Sequence, residues 1–187
     1  ESELAAFASD LDGDGVDDLF KTSGGFWYVS YSGREPFKRV KKSVYTLSNA
    51  RFGDFDGNGK TDLFKSAKGK WAISRGASGS WENWKTSGVG VQNLGFADFD
   101  GDGTTDAFKA NGTDWKVSYA AKGGWKKLNN SKVKLKNLAL GDFNGDGKAD
   151  VFRTTGNEWK ISWGGTGGWK NLNNSATRLK DLAFADF

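Results

Sequence analysis

Short segments in which hydrophobic and polar residues alternate recur along the whole chain. The segment "WKVSY" at 115–119 places Trp, Val and Tyr on one face and Lys and Ser on the other, and "WKISW" at 159–163 repeats this arrangement. A period of two is typical of a β-strand with one buried face. Turns rich in Gly, Asn and Asp separate the segments, and no convincing helical period is present. The pattern therefore predicts an all-β protein built from short antiparallel strands.

The pattern repeats at a constant interval of 44 residues. The acidic stretch "DFDGDGTTDAF" at 98–108 recurs with small changes from positions 10, 54 and 142, and a fifth copy begins at 186. Repeats of about 40–50 residues with four strands each are typical of propeller blades. We therefore predict a single β-propeller over 1–187. Its four-stranded antiparallel blades are expected at 4–47, 48–91, 92–135 and 136–178.

The segment 179–187 repeats the first strand of a blade and is surplus to the four complete repeats. A closed ring of four blades needs only one of the two copies of this strand. Three explanations stay open: the chain is part of a larger ring, the surplus strand replaces the N-terminal one, or it pairs with a neighbouring molecule. The last would give self-association through the terminal strand, because an exposed strand edge tends to find a partner.

Each acidic stretch predicts a nine-residue loop with side-chain oxygens at positions 1, 3, 5 and 9. Glycines at positions 4 and 6 let the backbone turn tightly, so that the side chains converge. A backbone carbonyl at position 7 can complete an oxygen shell. The candidate ligands are Asp10, Asp12, Asp14, Val16 and Asp18 in loop 1; Asp54, Asp56, Asn58, Lys60 and Asp62 in loop 2; Asp98, Asp100, Asp102, Thr104 and Asp106 in loop 3; and Asp142, Asn144, Asp146, Lys148 and Asp150 in loop 4.

Clustered carboxylates repel one another unless a cation neutralises them. Hard oxygen ligands in this number suit Ca²⁺ better than Mg²⁺, so we expect about one Ca²⁺ per complete repeat. The alternative is that Asp and Gly merely form turns, but four such loops at a constant interval make that interpretation weaker. An EF-hand is excluded, because it requires Glu at position 12, where this chain has Lys or Arg in every repeat.

These loops resemble the FG-GAP/VCBS-type calcium-binding repeat of integrin-α propellers and of many secreted bacterial proteins. The resemblance rests on "FGDFDGNGKTDLF", "FADFDGDGTTDAF" and "LGDFNGDGKADVF", and it extends over nearly the whole chain. It implies calcium binding by loop positions 1, 3, 5 and 9 and by the carbonyl at position 7. It also implies a secreted or cell-surface protein. The Gly-Ala-Pro segment of the integrin form is missing, which places the chain nearer to bacterial and fungal lectin-like members.

The remaining residues offer little for catalysis. The chain has no cysteine and no histidine, and only 8 of its 23 acidic residues lie outside the loop positions when Asp186 of the fifth copy is counted with them. Those 8 are scattered, so a paired-carboxylate or histidine-based enzyme is not expected. We therefore predict a protein without enzymatic activity, although a calcium-dependent lyase that uses Lys or Arg as its base stays open.

Positive charge is abundant outside the loops. The 27 Lys and Arg residues give a net charge of +4, and few acids remain to balance them once the loops hold cations. An anionic polysaccharide is therefore a candidate partner. The alternative, which we rank higher, is that lysines protect exposed strands from edge pairing. No nucleic-acid-binding motif and no membrane-spanning segment are present, so neither partner is predicted.

Aromatic and amide side chains suggest a sugar site. Trp81, Trp125 and Trp169 follow Gly-rich turns, and Asn129 and Asn173 come shortly after the last two. Indole rings stack on sugars, although packing between blades explains most of these tryptophans equally well. We predict a non-catalytic calcium-binding propeller that binds carbohydrate, as a lectin does, or acts in adhesion. The alternative is a structural accessory domain of a larger secreted enzyme, with calcium as its only ligand.

Overall fold

The computed structural model of the chain describes residues 9–184, and these residues form four antiparallel sheets. The strands of the first sheet are β1 (Leu19–Ser23), β2 (Phe26–Ser30) and β3 (Lys38–Lys42). The second sheet contains β4 (Arg51–Gly53), β5 (Asp62–Ala67), β6 (Lys70–Ser74) and β7 (Glu82–Thr86). The third contains β8 (Gly95–Ala97), β9 (Asp106–Ala110), β10 (Asp114–Ser118) and β11 (Lys126–Asn130). The fourth contains β12 (Ala139–Gly141), β13 (Asp150–Thr154), β14 (Glu158–Ser162) and β15 (Lys170–Asn174).

Short 3₁₀ turns connect the strands. One set lies between the last two strands of each sheet, and a second set follows the last strand of a sheet. The turns of the first set are Tyr31–Gly33, Arg75–Ala77, Tyr119–Ala121 and Trp163–Gly165. The turns of the second set are Val91–Asn93, Leu135–Asn137 and Leu179–Asp181. No helix among the described residues is long and apolar enough to cross a bilayer.

Each sheet is a meander in which consecutive strands pair. In the third sheet Phe96 pairs with Ala107, and Val117 pairs with Phe108, so every strand pairs with the next one in sequence. A β-bulge follows the recurring tryptophan in the last strand pair of every sheet, for example between Trp115 and Lys116. Bulges increase the twist of a strand. The predicted 44-residue repeat is therefore a structural repeat of one twisted antiparallel sheet.

The chain divides into two compact units, Glu1–Gln92 and Asn93–Phe187. In the first, Trp27 is fully buried with Phe20, Val29 and Leu63. In the second, Trp115 is equally buried with Phe108, Val117 and Val151.

A buried indole still needs an acceptor for its N–H group. Trp27 Nε1 donates to Tyr45 O at 2.6 Å, and Trp115 Nε1 donates to Val133 O at 3.0 Å. Each tryptophan therefore fills the core of its unit and also fixes the segment that follows the last strand of its sheet.

Two features predicted at the chain ends fall partly outside the described residues. The predicted first strand of the first blade lies largely in residues 1–8, so the first sheet shows three strands. The predicted extra strand at 179–187 begins with the turn Leu179–Asp181 and has no strand up to 184, and its remainder lies outside the described part. Phe184 packs against Phe143 and Phe152 with ring centroids 5.7 and 5.5 Å apart. The single-domain boundary 1–187 and the role of the terminal strand stay predictions.

Candidate metal centre

The four acidic loops occupy equivalent places in the sheets. Loop 2 (54–62), loop 3 (98–106) and loop 4 (142–150) each connect the first strand of a sheet to its second. Loop 1 (10–18) leads directly into β1. The loop glycines adopt left-handed backbone conformations, with φ of 78° at Gly101 and 84° at Gly103. A side chain is strained at such angles, which explains why glycine recurs there.

The aspartate at position 1 turns its carboxylate toward the loop backbone. In loop 3, Asp98 Oδ1 accepts the N–H of Gly101 at 2.7 Å, and Oδ2 accepts that of Gly103 at 2.8 Å. The same two bonds occur in the other three loops. A carboxylate oxygen has two lone pairs, so one N–H bond leaves it able to contact a cation. Position 1 therefore shapes the loop and still offers a ligand atom.

The aspartate at position 9 is fully buried in all four loops. In loop 3, Asp106 Oδ2 accepts the N–H of Phe99 at 2.8 Å, and Oδ1 accepts that of Ala120 at 2.7 Å. Ala120 has a φ of 50°, an unfavourable conformation for alanine. Equivalent pairs of bonds form in loops 1, 2 and 4. Position 9 therefore ties its loop to the 3₁₀ turn of the same sheet.

Positions 1, 3 and 9 converge in three of the loops. The groups are Asp10, Asp12 and Asp18; Asp54, Asp56 and Asp62; and Asp98, Asp100 and Asp106. In each group one oxygen from every residue lies within 4.8 Å of the others. Oxygens on opposite sides of one Ca²⁺ are about 4.6–5.2 Å apart, since each lies about 2.3–2.6 Å from the ion. The spacing of these oxygens thus fits a single calcium ion.

Two oxygens at position 3 lack a partner in the protein. Asp56 Oδ1 and Asp100 Oδ1 are buried, and neither has a hydrogen-bond partner among residues 9–184. A buried carboxylate oxygen without a partner is costly, and such atoms in folded proteins usually contact a water or an ion. Each of these oxygens belongs to one of the three-carboxylate groups, so the donor set fits a hard cation.

The pKa values of several loop aspartates are raised by burial and by neighbouring carboxylates. Burial raises the pKa of Asp62 to about 6, and the neighbouring Asp56 carboxylate adds to the rise. Burial also raises the pKa of Asp106 to about 7, although its bonds to Phe99 and Ala120 oppose the change. Burial, followed by the charges of Asp102 and Asp98, raises the pKa of Asp100. A bound cation would favour the ionised forms of all these groups.

In each loop, the side chain at position 5 accepts a hydrogen bond from the backbone N–H of position 7. Asp102 Oδ1 accepts the N–H of Thr104 at 2.8 Å, and this bond recurs in the other three loops. Position 5 lies outside the three-carboxylate groups. Its contribution, and that of the carbonyls of Val16, Lys60, Thr104 and Lys148, stays a prediction.

Loops 2 and 4 differ from the other two. In loop 2, Arg75 Nε lies 2.8 Å from Asp56 Oδ2, and Asn58 replaces an aspartate at position 5. In loop 4, Asn144 occupies position 3, and its amide donates to Asp146 Oδ2 at 3.1 Å. Loops 1 and 3 carry four aspartates each and have the larger uncompensated negative charge.

Backbone hydrogen bonds connect neighbouring loops within each unit. Thr61 N in loop 2 donates to Asp10 O in loop 1 at 2.7 Å, and Ala149 N in loop 4 donates to Asp98 O in loop 3 at 2.6 Å. A Cβ on Gly13 would lie 2.8 Å from the Lys60 side chain. Loss of order in one loop is therefore expected to affect the next.

The tryptophans of the predicted sugar site are covered on one side by cations. Lys65 Nζ lies 4.1 Å from the Trp81 ring centroid, Lys109 Nζ lies 4.1 Å from that of Trp125, and Arg153 Cζ lies 4.4 Å from that of Trp169. Such cation–π contacts stabilise the ring in place.

Two of these rings also pack edge-on against a core tryptophan. Trp81 lies 5.6 Å from Trp27, and Trp169 lies 5.4 Å from Trp115, between ring centroids. These tryptophans therefore contribute to packing between sheets, and sugar binding by them stays a prediction.

The two predicted asparagines have different surroundings. Asn129 Nδ2 donates to Gly167 O at 3.0 Å, which connects the third sheet to the turn of the fourth. Asn173 accepts the N–H of Asn174 at 2.8 Å and lies on the exposed strand β15. The structure therefore does not bring the two side chains into one equivalent arrangement.

Sequence reasoning overlooked two features. The first is the position-9 aspartate as a structural tie, which nothing in the loop sequence distinguishes from a ligand. The second is the cation at position 12, which covers the aromatic ring 16 residues later in every repeat. The sequence shows a cation at this position in every repeat, as Lys21, Lys65, Lys109 and Arg153. The constant interval of 16 residues to the aromatic position was the signal that could have predicted the contact.

Comparison with solved structures identifies the fold. A lectin of Agrocybe aegerita, described as specifically recognising non-reducing terminal N-acetylglucosamine, is similar with a TM-score of 0.68 and 17% sequence identity over 92% of this chain. The chain spans 52% of that lectin's length. The pore of the Photorhabdus luminescens Tc holotoxin is similar over 92% of this chain and 12% of that one, with a TM-score of 0.38 and 15% identity. No protein-family profile and no curated protein match the sequence.

The predicted fold class is confirmed: the chain has an all-β fold of antiparallel sheets of the β-propeller type.

Proposed function

We propose that this chain is a non-catalytic, calcium-binding β-propeller module of a secreted or cell-surface protein, and that it binds carbohydrate. The observation that supports calcium best is the pair of buried, unpartnered carboxylate oxygens on Asp56 and Asp100 within the three-carboxylate groups. The motif likewise resembles the FG-GAP/VCBS-type calcium-binding repeat. Membership of that group is part of the proposal.

The aspartates at positions 1, 3 and 9 would hold the ion in loops 1, 2 and 3. In loop 4, Asn144 would take position 3. A bound calcium ion supplies positive charge that offsets the repulsion between carboxylates. Because position 9 also holds the 3₁₀ turn of its sheet, the ion would stabilise both the loop and the turn. This role is structural and involves no chemical step.

Carbohydrate binding is supported by the similarity in fold to a lectin and by the excess of cations outside the loops. The second candidate function is an accessory propeller that binds only calcium. The cations over Trp81, Trp125 and Trp169 favour this candidate, because they cover ring faces that a sugar would need.

A glycan array probed with the purified chain in calcium separates the two candidates. If Trp81, Trp125 and Trp169 form the sugar site, the double variant Trp125→Ala with Trp169→Ala is expected to lose binding to a glycan that the unmodified chain binds. Trp84→Leu is the matched control, since Leu128 and Leu172 stand at the same position of later repeats. Near-ultraviolet circular dichroism checks that each variant is folded.

Three results are informative. Loss of binding confined to the Trp125 and Trp169 variants supports the predicted site. Binding that survives in all variants would show that the sugar binds elsewhere on the chain. That result overturns the predicted tryptophan site but not carbohydrate binding. Absence of binding to any glycan overturns carbohydrate recognition and leaves the accessory propeller.

A further inference from the structure

A pocket of about 570 Å³ in the second unit is lined mainly by cations. This volume is within the range of roughly 300–1,000 Å³ that is usual for small-molecule sites. Its lining comes from the segment after β11, from the end of β13 and from the segment after β15. The lining residues are Lys132, Val133, Lys136, Asn137, Arg153, Thr154, Arg178, Leu179 and Lys180.

The charge of this cationic pocket is only partly balanced. Arg178 Nε lies 3.0 Å from Asp181 Oδ2, and Lys180 Nζ lies 3.7 Å from Asp181 Oδ1, so one carboxylate serves two cations. No ion pair within 4 Å joins Lys132, Lys136 or Arg153 to an acidic side chain among residues 9–184, although the Glu158 carboxylate acts on Arg153 from a longer distance. None of the lining residues is acidic. Like charges gathered around one cavity favour an anionic occupant.

Arg153 is the most constrained of these cations. Its guanidinium group lies over the Trp169 ring, which fixes its orientation. Its Nε is buried and has no hydrogen-bond partner among residues 9–184. Burial lowers the pKa of this side chain. The Nε group therefore lacks an acceptor among the described residues, and Arg153 belongs to the wall of the pocket.

The cations are not a requirement of the repeat. The equivalent positions two repeats earlier, in the first unit, are Val44, Ser48, Lys65, Gly90 and Gln92, which carry a single cation. They correspond in order to Lys132, Lys136, Arg153, Arg178 and Lys180. The sheets of the first unit form with neutral residues at four of these five positions. Protection of strand edges also does not explain these cations, because Lys132, Lys136, Arg178 and Lys180 lie outside the strands.

We propose that this pocket binds the sulfate group of a sulfated saccharide. The cations would hold the anionic group, while Asn137 and Thr154 offer hydrogen bonds, and Val133 and Leu179 offer apolar surface to a sugar ring. This inference deepens the proposed function and rests on it. The pocket is separate from the predicted Trp125 and Asn129 positions, but it adjoins Trp169, whose ring lies against Arg153.

A saccharide fits the pocket better than a nucleic acid does. No aromatic residue lines the pocket, so no platform for base stacking is available there. A duplex would also need phosphate contacts spread along a surface rather than gathered in one cavity.

The test measures, by calorimetry in calcium, the binding of a sulfated heparan-type hexasaccharide and of its desulfated counterpart to the full chain. Lys136→Gln with Lys180→Gln gives both positions the side chain of Gln92. We expect this double variant to lower affinity for the sulfated probe about tenfold. Arg153→Lys restores the residue of the other repeats and is expected to weaken binding several-fold, because Lys lacks the bidentate guanidinium group.

The matched control is Lys127→Gln with Lys170→Gln, which removes the same charge from exposed strands outside the pocket. We expect it to change affinity less than twofold. The desulfated probe keeps its carboxylates but lacks sulfate, so we expect the pocket variants to change its binding much less than that of the sulfated probe. Equal effects of the pocket and control variants would overturn the site, because they indicate only a diffuse charge effect. Preference for duplex DNA over the sulfated probe at equal salt would overturn the ligand class.

The two proposals fail in different ways. If the desulfated probe, which keeps its carboxylates, or a neutral glycan binds while sulfation adds nothing to the affinity, the pocket is overturned and carbohydrate recognition stands. If no glycan of either kind binds, both proposals are overturned.

Discussion

Transfer of the protein from millimolar calcium into excess chelator is expected to lower its melting temperature by roughly 15–30 °C. A ligand at about 100 times its Kd stabilises the folded state by about 2.7 kcal/mol per site, so three sites contribute about 8 kcal/mol. For a chain of 187 residues, each kcal/mol corresponds to about 2–4 °C. Differential scanning calorimetry at constant pH measures the change.

Magnesium at the same concentration is the control for this experiment. It is expected to restore only part of the lost stability, because Mg²⁺ keeps its waters and prefers a strict octahedral shell. An identical melting curve with and without chelator would show that the loops are held by their own hydrogen bonds. That result would favour the interpretation of Asp and Gly as turn-forming residues.

Replacement of Asp106 by alanine is expected to lower the free energy of unfolding by about 3 kcal/mol or more, even in chelator. The variant removes the side-chain acceptor of the Phe99 and Ala120 N–H groups and the support for the left-handed conformation of Ala120. Urea unfolding followed by tryptophan fluorescence measures the change. Asp106→Asn keeps one acceptor and is expected to lose less.

Asp102→Ala is the matched control in the same loop. Among residues 9–184, the Asp102 side chain forms hydrogen bonds only to Thr104, and these bonds are exposed to solvent, so in chelator its loss is expected to cost less than about 1 kcal/mol. In calcium, both variants are expected to lose stability, because each removes an expected ligand. Equal stability of the two variants in chelator would contradict the structural role assigned to position 9.

The sheets could be predicted because their determinants are local. Alternation in "WKVSY" depends only on neighbouring residues, and it marks β10 together with the start of the turn that follows it. The loop glycines are likewise local, since positive φ at Gly101 follows from the shape of the turn itself. A constant interval then places the same elements in every sheet.

Contacts between separate segments could not be read in this way. Asp106 bonds to Ala120, and Arg153 covers Trp169, across intervals that depend on how each sheet folds back. Sequence identified the residue types but not the direction of their side chains. The tryptophans that the sequence placed in a sugar-binding site therefore lie against cations and other aromatic rings.

The cationic pocket illustrates the same limit. Lys132 and Lys136 follow β11, whereas Arg178 and Lys180 follow β15, a full repeat later. The sequence shows that cations are abundant outside the loops, but it does not show that these four share one cavity. Only the folded chain brings them around Arg153.

The most direct test of the central claim is an anomalous difference map from crystals of this chain grown in calcium. The account predicts a peak within each of the three-carboxylate groups at Asp10, Asp54 and Asp98, with the weakest in loop 2, where Arg75 already contacts Asp56. Featureless anomalous density in all three loops, with only water beside Asp56 Oδ1 and Asp100 Oδ1, would contradict it.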